Sequence, residues 1–196
     1  MDYGGQPYYC PNGWRRFALD CNFDRDQFKA NFGRWPVAYH GTSFVAAKDI
    51  IINGFKSANN QACFISKFEK AVFLTPSIVY AGHPRYAKVK RVKNMNGEER
   101  FVQLALQIKV QPDKIVKRPG TVENSFSNCQ KAIDRNFDDN DELEWVFKWN
   151  RDNYIKPFDG LIVYGVMISI SAEDPKSLMK NEWWEESRER LHWDRY

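Results

Sequence analysis

Residues 101–110 alternate so regularly that a β-strand is the natural structure for them. Val102, Leu104, Leu106, Ile108 and Val110 interleave with Gln103, Ala105, Gln107 and Lys109. Successive side chains of a strand point to opposite faces, so this period predicts a strand with one apolar and one wet face. Further strands are expected at 37–42, 71–74, 142–149 and 161–170, each rich in β-branched or aromatic residues. Helical segments interrupt the early part of the chain. One is expected over 44–53, with Ser43 as N-cap, Val45, Ile50 and Ile51 as its apolar side and Gly54 as its stop. A second is expected over roughly 77–88 after Pro76, and a short amphipathic piece over 26–32. Residues 88–100 read as a basic turn, and 111–113 and 118–120 as further turns. Helices placed early and strands crowded late predict an α+β fold built on antiparallel sheets.

The chain has 196 residues, enough for one domain with a sizeable core. Residues 1–34 are expected as an N-terminal cap and 35–170 as the core. Residues 171–196 are expected as a charged, helical tail carrying Trp183, Trp184 and Trp193, available for core packing or for a partner. The net charge of +4 is mild and the charges are interleaved, which argues against a dedicated nucleic-acid surface. No apolar run is long enough to cross a membrane, and the first residues carry no signal-peptide pattern. The expectation is a cytoplasmic protein, or a secreted effector read without its leader. Cys10, Cys21, Cys63 and Cys129 are widely spaced and have no histidine near them, so free thiols are expected and a metal site is not; one Cys10–Cys21 disulfide stays open. No Gly-x-Gly-x-x-Gly follows a strand, which removes the Rossmann route to a dinucleotide.

Three stretches carry chemistry. Tyr39-His40-Gly41-Thr42 brings an imidazole and a hydroxyl to a strand end, with a glycine between them that lets a flat ligand approach the backbone. Phe73 and Leu74 lead into Thr75-Pro76-Ser77, followed by Tyr80 and Tyr86. Glu142 and Glu144 alternate with Leu143 and Trp145, so on a strand both carboxylates share one face. Such a pair is either a functional site or the solvated edge of an acidic loop at 138–141. His83 and His192 are expected to be structural or surface histidines.

Taken in order, these stretches resemble the ADP-ribosyltransferases, the family of poly-ADP-ribose polymerases and diphtheria-type toxins. The resemblance spans residues 37–170. It implies two antiparallel sheets clasping NAD as substrate in a cleft with flanking helices, and no metal. His40 would then bond the adenosine-side ribose, Gly41 would offer its backbone to the nicotinamide amide, and Thr42 would add a hydroxyl beside Tyr39. Phe73 would stand where the family has its second-strand aromatic. Thr75 and Ser77 would steady the active-site carboxylate, and Tyr80 or Tyr86 would stack on nicotinamide, with Tyr86 favoured. Glu144 would be the catalytic glutamate and Glu142 would face the acceptor. The histidine matches the polymerase and diphtheria class, whereas Thr-Pro-Ser and Glu-x-Glu match the arginine-directed class. Mono-ADP-ribosylation of a protein side chain is the implied activity. The overall look is also similar to an effector-like group with neuralized-like eukaryotic members, in which the acceptor is a threonine of ubiquitin. The competing readings are an RNA 2′-phosphotransferase of the same fold, which the two glutamates would oppose by repelling phosphate, and an inactive module that binds NAD or ADP-ribose.

Overall fold

The computed structural model describes residues 2–56, 71–118, 134, 136–137, 140–149, 154–155 and 159–178. In chain order these form β1 (Asp2–Tyr3), β2 (Gln6–Pro7), β3 (Arg15–Ala18), α1 (Arg25–Phe32), β4 (Val37–Thr42), α2 (Phe44–Asn53) and β5 (Ala71–Leu74). There follow α3 (Ile78–Ala81), β6 (Lys90–Lys93), β7 (Glu99–Val110), β8 (Ile115–Arg118), β9 (Glu144–Lys148), β10 (Leu161–Ser171) and α4 (Pro175–Leu178). Cys63, Cys129, His192, residues 119–120 of the expected turn, acidic residues 138–139 and tail residues 179–196 lie outside the described residues.

The architecture is α+β with two main antiparallel sheets. The larger has five strands in the order β3-β10-β7-β4, with β6 also on β7; the smaller is β5-β9-β8. β1 and β2 form a separate hairpin. The two main sheets meet at a backbone bridge, where Tyr39 and Thr75 exchange hydrogen bonds of 2.7 and 3.0 Å. Leu106 and Ile108 from one sheet, Trp145 and Phe147 from the other, and Ala47 of α2 are all buried in a common core. No helix among the described residues is long and apolar enough to cross a membrane.

Local chemistry explains the ends of the early helices. Asp24 accepts from the backbone of Asp26 and Gln27 while the Gln27 side chain bonds back, a capping box that starts α1. Ser43 accepts from the Ala46 amide at 3.2 Å, and Gly54 at φ 92° closes α2 in a conformation glycine adopts without strain.

Several expectations are corrected. The wet face of β7 is not wet: Gln103, Gln107 and Lys109 are all buried. Each has a specific bond, Gln103 to the Gly82 and Ala87 carbonyls, Gln107 from Arg16 Nε and Lys109 to the Trp35 carbonyl. β7 is central in its sheet, and the N-terminal region and the 82–87 turn cover its polar side. The second helix stops at Ala81 because Gly82 and Pro84 follow at once. The basic turn at 88–100 is instead the hairpin of β6 with β7. Residues 115–118 form β8, and Arg15–Ala18, within the expected cap, pairs with β10. The apolar side of α2 is displaced as well: Phe44, Ala47 and Ile50 face the core, while Val45 and Ile51 are exposed. Apolar residues occur all round that helix, interrupted by Lys48, Asp49 and Asn53, so the sheet it meets decides its face. Cys10 and Cys21, by contrast, are free thiols as expected.

Candidate active site between the two sheets

β4 and β5 are joined at Tyr39 and Thr75 and then part. In an antiparallel strand alternate residues direct their backbone groups to the same side. Gly41 therefore points its N–H and C=O as Tyr39 does, toward the gap beyond the bridge. There the Phe73 carbonyl, which a continuing ladder would set opposite Gly41, lies 2.9 Å from His40 Nδ1. A carbonyl only accepts, so Nδ1 carries the proton and Nε2 is the acceptor nitrogen. Burial lowers the His40 pKa, partly opposed by this backbone bond. A neutral imidazole with Nε2 as acceptor is ready to receive a ligand hydroxyl.

The gap is a slot of about 50 Å³ lined by Tyr39, His40 and Gly41 from β4, Phe73, Leu74 and Thr75 around the end of β5, and Tyr80, Ala81, Tyr86 and Glu144. The register of β5 with β9 runs Leu74 to Trp145, and one step further sets Glu144 across from Thr75. Glu144 is only 2% exposed and accepts from Tyr80 Oη at 3.3 Å. Tyr80 has one hydroxyl proton, so the Tyr86 hydroxyl 3.1 Å away donates to it, giving a relay from Tyr86 through Tyr80 to the carboxylate. Ala81 and Tyr86 fill the space where a Gly41 side chain would be. The glycine thus admits α3 to the site as well as leaving its backbone open.

No protein-family model matches the chain, and no curated protein matches it.

The sequence-predicted residues divide into three groups. Tyr39, His40, Gly41, Phe73, Thr75, Tyr80, Tyr86 and Glu144 share the slot. Thr42 and Ser77 are buried but do not line it. Ser77 Oγ accepts from the Tyr80 amide at 3.0 Å and donates to Asp134 at 2.6 Å, so it starts α3 and reaches Asp134, not Glu144. Glu142 departs from the expected strand. It belongs to a 3-10 turn, Asn140–Glu142, and its exposed carboxylate lies 2.9 Å from Lys117 Nζ. β9 starts at Glu144, so the shared-face argument for the two acids does not apply.

One feature was not legible in the sequence. Phe55 sits edge-on to the His40 ring, with centroids 5.2 Å apart, and is itself tied by backbone to Ile155. Phe55 also lines a second cavity of about 230 Å³ with Ile50, Leu161, Val163 and Cys21. A contact 100 residues distant in the chain leaves no local signal. His83 is buried and accepts from the Arg85 amide at 3.0 Å, and burial lowers its pKa to about 3, so it is a neutral structural residue.

Proposed function

We propose that this chain is an ADP-ribosyltransferase that cleaves NAD, releases nicotinamide and transfers ADP-ribose to a protein side chain, with ubiquitin as one candidate acceptor. The observation that carries this reading is the convergence of His40, Gly41, the two tyrosines and Glu144 on one slot where two antiparallel sheets part. A slot of about 50 Å³ is far below the ~300–1,000 Å³ of a pocket that encloses a whole ligand, so it suits one end of a dinucleotide. Nicotinamide is assigned to the slot, its amide to the Gly41 backbone and its ring to the tyrosines. The larger cavity, lined by the same Phe55 that packs on His40, suits the adenine end, with a ribose hydroxyl donating to His40 Nε2.

The reaction develops positive charge on the nicotinamide-side ribose as the leaving group departs. A fixed carboxylate in a site of low dielectric stabilises that charge, and the Tyr80 bond holds Glu144 in place without neutralising it. Replacing Glu144 with Gln preserves shape and removes the charge. Nicotinamide release by E144Q is expected to fall by about 10²–10³-fold, the usual cost of losing one electrostatic contact to a transition state. Release at the wild-type rate in E144Q, or none in the wild type with NAD supplied, would exclude the reading.

A further inference from the structure

The turn that contains Asp134 is tied down at both ends. Asp134 Oδ1 accepts from the backbone and side-chain nitrogens of Asn136, and the Phe137 amide donates to the Asp134 carbonyl at 2.9 Å. Phe137 is buried edge-on against Tyr9, with ring centroids 5.2 Å apart. The other carboxylate oxygen, Oδ2, accepts from Ser77 Oγ at 2.6 Å across 57 residues of chain, and both side chains are buried. An O–H···O⁻ bond of that length is charge-assisted and stronger than a bond between neutral groups.

A serine hydroxyl has one proton to give. Ser77 commits it to Asp134, which leaves the oxygen lone pairs to cap the Tyr80 amide at 3.0 Å. The Ser77 amide is fixed in turn by Thr75 Oγ1 at 3.1 Å. α3 has only four residues, so no interior turns support it and its cap governs where it sits. Tyr80 belongs to that turn, and its hydroxyl donates to Glu144 at 3.3 Å. Asp134 itself does not line the slot.

We propose that Asp134 is a positioning residue, acting through Ser77 and the start of α3 to set the Tyr80 hydroxyl on the Glu144 carboxylate. Its catalytic consequence rests on the transferase reading above. Without the Asp134 carboxylate the Ser77 proton turns to another acceptor, and rotation of Oγ removes the cap. Tyr80 then shifts relative to Glu144, and a misplacement of about 1 Å at a reacting centre costs up to about 10²-fold in rate. The loss falls on turnover, because Asp134 touches neither the Gly41 backbone nor His40.

The test uses the full chain with NAD. Nicotinamide release and thermal melting are measured for wild type, D134A, D134N, S77A and Y80F, and for the double variants D134A/S77A and D134A/Y80F. Hydrogen exchange of the Tyr80 amide is measured without NAD. The kcat of D134A is expected to fall by about 10–10²-fold with KM for NAD within about twofold, and D134N, which keeps an oxygen acceptor, to fall less. Each double variant is expected to be no slower than its slower single variant, since residues acting along one chain of contacts do not add. Exchange at the Tyr80 amide is expected to quicken in D134A. Wild-type kcat in D134A, a raised KM with kcat retained, or losses that multiply in the double variants would each overturn the proposal. If D134A does not fold, D134N replaces it, and failure of both to fold makes Asp134 a support of the whole fold and overturns it too. No nicotinamide release from the wild type fails the transferase reading by itself. The exchange data then still decide the link from Asp134 to the cap, which unchanged exchange at Tyr80 overturns.

Discussion

At Gly41 an added Cβ would collide with the Ala81 carbonyl oxygen and lie 2.8 Å from the Tyr86 Cβ. Backbone atoms do not yield as the tip of a long side chain does, so α3 and the turn after it would have to move. Gly41→Ala is expected to cost about 1–3 kcal/mol, the usual penalty of overpacking. It should also displace Tyr80 from Glu144 and reduce nicotinamide release. Thermal unfolding and the release assay together check this; an alanine variant with wild-type melting and turnover would show that the contact is not tight. The sequence marked Gly41 as special and proposed ligand approach as the reason. The packing adds the protein's own helix as a second reason, which no inspection of neighbouring residues would show.

β7 teaches a similar lesson at the scale of the element. Its alternation correctly identified a strand, but period two reports only that the two faces differ, not that one is wet. The face of Gln103, Gln107 and Lys109 is covered, and each polar group there has a bond partner. Burial lowers the Lys109 pKa from 10.5 to about 8. Between pH 8 and 10.5 the unfolded chain therefore binds more protons at this position than the folded one, and stability rises with pH across that window. Below pH 8 both states are protonated and the full cost of the buried charge persists. Denaturant melts of wild type and Lys109→Met at pH 7.5 and 10 are expected to show a gain of about 1–3 kcal/mol on going to pH 10 in the wild type that Lys109→Met lacks. Equal pH dependence in the two would mean that Lys109 is hydrated. The shortness of α3 was legible in principle, because Gly82 and Pro84 both oppose its continuation.

At the scale of the molecule, the two sheets touch, among the described residues, through the Tyr39–Thr75 backbone bridge and a shared apolar core, and Phe55 connects that core to His40. Phe55→Ala is expected to cost about 3–5 kcal/mol, as truncation of a buried aromatic does. If the variant remains folded, the KM for NAD should rise more than kcat falls, since the ring supports binding and touches no reacting atom. Steady-state kinetics with NAD separate the two, and a pure kcat loss would count against the assignment of the larger cavity. What the sequence determined by itself was local: the strands at 37–42, 71–74, 101–110 and 161–170, the caps of α2, and the residue types that gather at the site. These follow from hydrogen bonding and side-chain period within a few residues. Only the tertiary structure decided which face of β7 and α2 is buried, that Ser77 turns to Asp134, that Glu142 pairs with Lys117 off the strand, and that Phe55 backs His40. Each depends on a surface brought from far along the chain, and burial and charge pairing are set by what arrives there.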